Sequence, residues 1–214
     1  MADHDAVLFD LDGVLVDSRA PFARGINSAL LAHGEPERPE EDLHRYLGPP
    51  LHQTFARLVT DPSLVQPCVD AYRERYRALA ASETTVFAGI PELLGRLASG
   101  FPLVVATSKP RALAEPLLTT LGLSDFFIAI VGPDLAAEHE DKAVTVGRAV
   151  EELPPVAKPV MVGDRKYDIA AARTHGLSAV GVLWGVGSEN ELLSAGADAL
   201  VRTPADLGRL LAPR

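Results

Sequence analysis

Six short apolar runs, five of them separated by helix-like segments, constrain this chain more than any other feature of its sequence. The first is "AVLF" (6–9); the others are "PLVVAT" (102–107), "FIAIVG" (127–132), "PVMVGD" (159–164), "SAVGVLW" (178–184) and "DALVR" (198–202). Among the segments between them are "PRALAEPLLTTLG", "DKAVTVGRAVEEL" and "YDIAAARTHG", which carry helical spacing. Strands that are apolar almost throughout, rather than on alternate residues, belong to sheets covered on both faces. Strands joined through helices run parallel. The chain therefore reads as an α/β protein built on a parallel sheet.

Residues 19–82 break this rhythm. They contain no convincing strand, and Phe22, Ala23, Ile26, Ala29 and Leu30 recur at helical spacing. "EEDLHRYL" and "LHQTFARLV" read as short helices divided by "GPP", which neither helix can run through. "SLVQPCVDAYRERYRALAA" reads as a longer helix with Val69, Tyr72, Tyr76 and Leu79 on one face, and Pro67 in its first turn or at a kink. The expected organisation is a core of residues 1–16 and 84–214, interrupted by an all-helical insert at 17–83.

In an open parallel sheet, ligands gather beyond the carboxyl ends of the strands. Here those ends are polar. Asp10 and Asp12 follow the first run, Thr107 and Ser108 the second, and Asp164 closes "PVMVGD" with Asp168 four residues on. Two acids one residue apart lie on the same side of an extended chain, and their repulsion needs compensation. Mg²⁺ answers it, since this ion prefers oxygen ligands and takes one or two carboxylates directly. With such an ion present, one aspartate can act as nucleophile and the other can exchange protons. Thr107 and neighbouring backbone NH groups are candidate donors to a transferred phosphoryl group, and Lys142 is the candidate cation. Lys109 is a second candidate cation, although Pro110 behind it points to an outward turn. Gly13 gives the chain room to bend after the acidic pair. Each feature alone has a plainer reading: a turn, a helix cap, first-turn acids, a solvated lysine. Together, in this order and at strand ends, they read as a site.

The formal net charge of −9 disfavours a nucleic-acid backbone or an anionic membrane as partner, while leaving room for a small anionic substrate. The single cysteine, Cys68, cannot form an internal disulfide and reads as a packing residue in a reducing, cytoplasmic setting. The acidic "MADHDA" start does not read as a signal peptide, and no apolar stretch approaches the roughly 20 residues that span a bilayer. The six histidines show no zinc-ligand spacing.

"FDLDGVLVDS", "VVATSKP", Lys142 and "MVGDRKYD" resemble, in order, the four motifs of the haloacid dehalogenase-like phosphohydrolases. The insert after the first motif is similar to the small helical cap of the phosphoglycolate phosphatase and beta-phosphoglucomutase branch. "LGPPLHQTF" and "GVLWGVGSENELLSAGAD" resemble a bacterial subgroup described as phosphoglycolate phosphatase-like or 5'-nucleotidase-like. The resemblance implies a Rossmann-like core with a cap, and a Mg²⁺-dependent phosphomonoesterase of small phosphorylated metabolites, working through an aspartyl-phosphate. It makes Asp10 the nucleophile and a metal ligand, and Asp12 the general acid/base that also ligates through its backbone carbonyl. Thr107, Ser108 and Lys142 become phosphate-binding residues; Asp164 becomes a metal ligand, supported by Asp168. Substrate choice is expected in the cap, at Pro49, His52 and Arg57. A monomer or small homo-oligomer is expected. The alternatives are a sugar phosphomutase and, further off, a non-catalytic phosphate-binding module.

Overall fold

The computed structural model describes residues 4–135, 140–155 and 157–212. The first half of "MADHDA" and part of the loop before Lys142 thus lie outside the described residues. The chain divides into two compact units, one of Met1–Val16 with Val86–Arg214, the other Asp17–Thr85.

The first unit opens with β1 (Ala6–Phe9), after which the chain turns and leaves through β2 (Val16–Asp17). The second unit holds α1 (Arg19–Ala32), α2 (Glu40–Leu43), α3 (Leu51–Leu58) and α4 (Val65–Glu83), with single 3-10 turns at His44–Tyr46 and Pro62–Leu64. The chain returns through β3 (Thr85–Val86). The core then runs α5 (Ile90–Ala98), β4 (Leu103–Ala106), α6 (Arg111–Thr120), β5 (Ala129–Val131), α7 (Lys142–Glu151), β6 (Pro159–Gly163), α8 (Lys166–Thr174), β7 (Ser178–Val182), α9 (Glu189–Ser194), β8 (Ala199–Val201) and α10 (Pro204–Leu211).

Six strands form one sheet in the order β5-β4-β1-β6-β7-β8, every pairing parallel. All residues of β1, β4 and β6 are buried. Their side chains alternate between two cores, as the two-residue period of a strand requires. Val7, Phe9, Val105 and Val162 meet Leu93, Leu117 and Leu207 on one face; Leu8, Val104 and Met161 meet Val146, Ile169 and Leu192 on the other. Burying a side chain such as Leu8 is worth about 1.5–3 kcal/mol, which explains why these runs carry no polar residue until the strands end.

The strand order places the site. The chain builds outward from β1 through β4 to β5, then crosses to β6 on the opposite side of β1. Helix α7 makes that crossing, so its first residue, Lys142, lies close to the end of β1. In the second unit, the residues expected on one face of each long helix are buried. Tyr72 stacks on Tyr76 at 5.0 Å and meets Phe22 and Phe55 edge-on. Gly25 lets α1 approach that cluster: a Cβ there would lie 2.8 Å from the Tyr72 ring. Pro67 sits in the first turn of α4, where its missing N–H costs nothing. Cys68 is buried, its thiol 3.7 Å from the Ala29 carbonyl.

Candidate active site

Strand register brings the polar ends together. Phe9 lies opposite Val105 on one side and Val162 on the other. Asp10, Thr107 and Asp164 therefore emerge from three adjacent strands at one end of the sheet, and the Asp10 N–H is tied to the Val162 carbonyl at 2.9 Å. Asp10, Thr107, Lys142, Asp164 and Asp168 are all buried, Asp164 completely. Ser108 is exposed.

Lys142 is the electrostatic hub. Its Nζ donates to Asp10 Oδ1 at 2.5 Å and sits 2.9 Å from Asp168 Oδ1. Burial opposes its charge, yet Asp10 and Asp168 outweigh that penalty and hold the ammonium above the usual lysine range. The reverse holds for Asp10. Burial pushes its carboxyl up to about 7, against the pull of Lys142, and repulsion from Asp168 and Asp12 adds to the rise. Asp164 is also raised well above the ordinary carboxylate value, by burial first and then by Asp168 and Asp10, against the Val186 N–H and the Arg165 charge.

Asp168 does two jobs. Beside its Lys142 contact, its Oδ2 accepts from the Arg165 N–H at 3.1 Å and caps α8. The plainer reading of a first-turn acid thus covers only the capping half of Asp168. Asp164 is walled in by backbone. Its Oδ2 accepts from Val186 N–H at 2.7 Å, and a Cβ on either Gly13 or Gly185 would lie 2.3 Å from that same oxygen. Gly13 also has φ +85°, a conformation that side chains disfavour. The other Asp164 oxygen, Oδ1, is buried without a hydrogen-bond partner.

Such an orphaned carboxylate oxygen is costly unless something meets it. Ligand oxygens of Asp10, Asp164 and Asp168 lie within 4.8 Å of one another, the one such acidic cluster among the described residues. With all four aspartates ionised against two lysines, this end of the sheet would carry two negative charges in surplus. An all-oxygen donor set with that surplus fits one hard divalent cation.

Lys109 departs from expectation. Rather than turning outward, it is enclosed, and its Nζ lies 2.7 Å from Asp12 Oδ1. Nor is Thr107 a helix cap: Pro110 takes the cap position of α6, while Thr107 Oγ1 accepts from the Lys109 N–H at 3.1 Å. That acceptance leaves the hydroxyl proton of Thr107 to donate elsewhere. Pro49, His52 and Arg57 belong to the second unit. There His52 Nε2 pairs with Gln66 Oε1 at 2.7 Å, Arg57 is exposed in the last turn of α3, and Pro49 precedes that helix.

The backbone wall around Asp164 was not foreseen. Its signal was present in "LWGVG", two glycines closely spaced after a strand, a pattern that marks close backbone approach. Trp184 anchors that loop, its indole N–H donating to the Val14 carbonyl at 3.0 Å.

The family model described as "Haloacid dehalogenase-like hydrolase" matches residues 7–182, from β1 to the end of β7. The chain belongs to that family. It is similar to a 5'-nucleotidase of Pseudomonas aeruginosa, 36% identical over 189 residues that cover 87% of this chain and 86% of the relative. It is equally similar, at 36% identity over 96% of both chains, to a phosphoglycolate phosphatase of Chromobacterium violaceum. Among solved structures, a predicted phosphatase from Clostridium acetobutylicum superposes with a TM-score of 0.90 at 34% identity, covering 97% of this chain and 98% of that one. The α/β fold is that of the haloacid dehalogenase-like hydrolases, and the chain is a phosphatase of this family. No helix among the described residues is long and apolar enough to cross a membrane.

Proposed function

We propose that this protein is a Mg²⁺-dependent phosphomonoesterase of a small metabolite, of the 2-phosphoglycolate or nucleoside 5'-monophosphate type. The observation that carries the reading is the buried group of Asp10, Lys142, Asp164 and Asp168 at the carboxyl ends of β1 and β6. A carboxylate cluster this enclosed is unfavourable for folding alone, and it fits the combination of a cation and a phosphoryl group.

In this reading a carboxylate oxygen of Asp10 attacks phosphorus as the ester P–O bond breaks, and Asp12 delivers a proton to the departing oxygen. Water then attacks the aspartyl-phosphate, Asp12 takes its proton, and the bond between phosphorus and Asp10 breaks to release phosphate. The Thr107 hydroxyl and the backbone N–H of Ser108 receive the phosphoryl oxygens, and Lys142 keeps Asp10 in line while neutralising them. Asp10, Asp164 and the Asp12 carbonyl would hold Mg²⁺, with Asp168 supporting it. When bound, the ion supplies positive charge against the phosphoryl oxygens.

The names of the Pseudomonas and Chromobacterium relatives support the two substrate types. Pro49, His52 and Arg57 are the candidate specificity residues, carried on a unit whose helices pack around their own aromatic core. The net charge supports a partnership with small molecules rather than nucleic acid. A cytoplasmic monomer or small homo-oligomer completes the reading. The test is phosphate release across 2-phosphoglycolate, nucleoside 5'-monophosphates and sugar phosphates, with Asp10→Asn as control. A clear preference identifies the substrate. Sugar-phosphate isomers formed without phosphate release, or normal turnover by Asp10→Asn, would overturn the proposal.

A further inference from the structure

The turn after β4 presents a second enclosed lysine, and its backbone is held on two sides. Thr107 Oγ1 accepts from the Lys109 N–H, and the Arg111 N–H donates to the Pro133 carbonyl at 3.0 Å. Across the turn lies Gly132, just beyond β5. A Cβ there would stand 2.4 Å from the Lys109 carbonyl oxygen and 3.1 Å from Arg111 N. The turn is thus seated directly on a glycine, and no side chain fits between. With its backbone so placed, Lys109 directs its ammonium to Asp12 Oδ1 at 2.7 Å, the two side chains only 7% and 16% exposed. An ion pair on the surface leaves both partners mobile and contributes little. This one is enclosed, and Lys109 surrenders rotamer freedom to make it.

The two lysines divide the acids between them: Lys142 serves Asp10 and Asp168, and Lys109 serves Asp12. We propose that Lys109 is a positioning residue for Asp12, fixing the carboxyl group that exchanges protons with the leaving oxygen and holding it clear of the buried acids. The proposal rests on the role given to Asp12 above. Misplacing a proton donor by about 1 Å costs about 10²-fold in rate, and only where the leaving group needs the proton.

That dependence supplies the test. Two substrates are compared by kcat/KM, which reports attack on the ester: the alkyl phosphate of the panel above that the wild type hydrolyses best, whose alkoxide leaving group needs a proton, and p-nitrophenyl phosphate, whose phenolate leaves without one. Lys109→Met is expected to lower kcat/KM about 10–100-fold on the first and less than about threefold on the second. Lys109→Arg, which keeps a cation of different reach, is expected to show the same asymmetry at smaller amplitude and carries the test if Lys109→Met does not fold. Equal losses on both substrates, as lost structure would cause, would overturn the proposal, and so would no loss. If the wild type releases phosphate from no alkyl phosphate of that panel and none from p-nitrophenyl phosphate, the phosphomonoesterase reading fails and takes this one with it. If the wild type is active and Asp10→Asn is not, a flat response to Lys109 substitution sinks the Lys109 role alone.

Discussion

Both units of this protein bury acids, and they treat them in opposite ways. In the helical unit, buried Glu35 receives the Thr60 N–H and hydroxyl at 2.7 and 2.6 Å, and these bonds hold its carboxyl below the usual range. Asn27 closes both sides of its amide on the Arg38 backbone at 2.9 Å. In the α/β unit, Asp10 and Asp164 are pushed up instead, and one Asp164 oxygen meets no donor. A buried acid is therefore not in itself a mark of function. At the functional end of the sheet a buried carboxylate oxygen, Asp164 Oδ1, is left without a donor, and in the proposed reading a cation meets it.

The comparison can be tested by substitution, and the largest effect falls on the nucleophile. Asp10→Asn is expected to lower phosphate release by about 10⁴-fold or more. Its metal-free thermal midpoint should hold or rise, because a source of buried repulsion is gone. A variant that unfolds would show that Asp10 is structural, like Glu35.

Metal removal comes next. A chelator should silence the wild type, and Mg²⁺ should restore it. The ion's effect on stability carries a sign that follows from the raised carboxyls. A folded-state value near 7 for Asp10, against an ordinary 3.8, means that the metal-free fold loses stability as pH rises from about 4 through about 7. Below about pH 7 Mg²⁺ must replace a proton, and above it meets a ready carboxylate. The rise in melting temperature on adding Mg²⁺ should thus be larger at pH 8 than at pH 5; equal rises would count against this linkage.

Smaller effects are expected from the wall. Gly185→Ala places a methyl 2.3 Å from Asp164 Oδ2 and 2.5 Å from the Gly13 carbonyl. It should weaken the Mg²⁺ requirement's apparent affinity by about 10–100-fold, read from activity titrated against Mg²⁺, and cost about 1–3 kcal/mol of stability. At the far end of the scale, Asn27→Ala should cost about 1–3 kcal/mol in denaturant unfolding while kcat of the folded enzyme stays unchanged. A loss of kcat there would erase the contrast between the units.

Much of the fold is legible in the sequence. Each of the six apolar runs contains a strand, the first over its full length and the others one to three residues shorter than the run, and the helical insert has its expected faces buried. Asp10, Lys142, Asp164 and Asp168 were all singled out from order and position. Lys109 was misjudged because Pro110 describes only the chain behind it. The backbone of its turn is seated on Gly132, more than twenty residues later and just beyond another strand. The wall of Val186, Gly185 and Gly13 escaped for the same reason, since no local pattern says which backbone will stand against Asp164.

The sequence by itself determined that the sheet is parallel, that helices interrupt it after β1, and which acids end its strands, because burial and periodicity act along the chain over a few residues at a time. Tertiary structure alone decided which lysine answers which aspartate and which carboxylate oxygen is left without a donor. Those outcomes depend on distances of a few ångströms between segments as much as 170 residues apart, as with Trp184 and Val14, and no local preference encodes them.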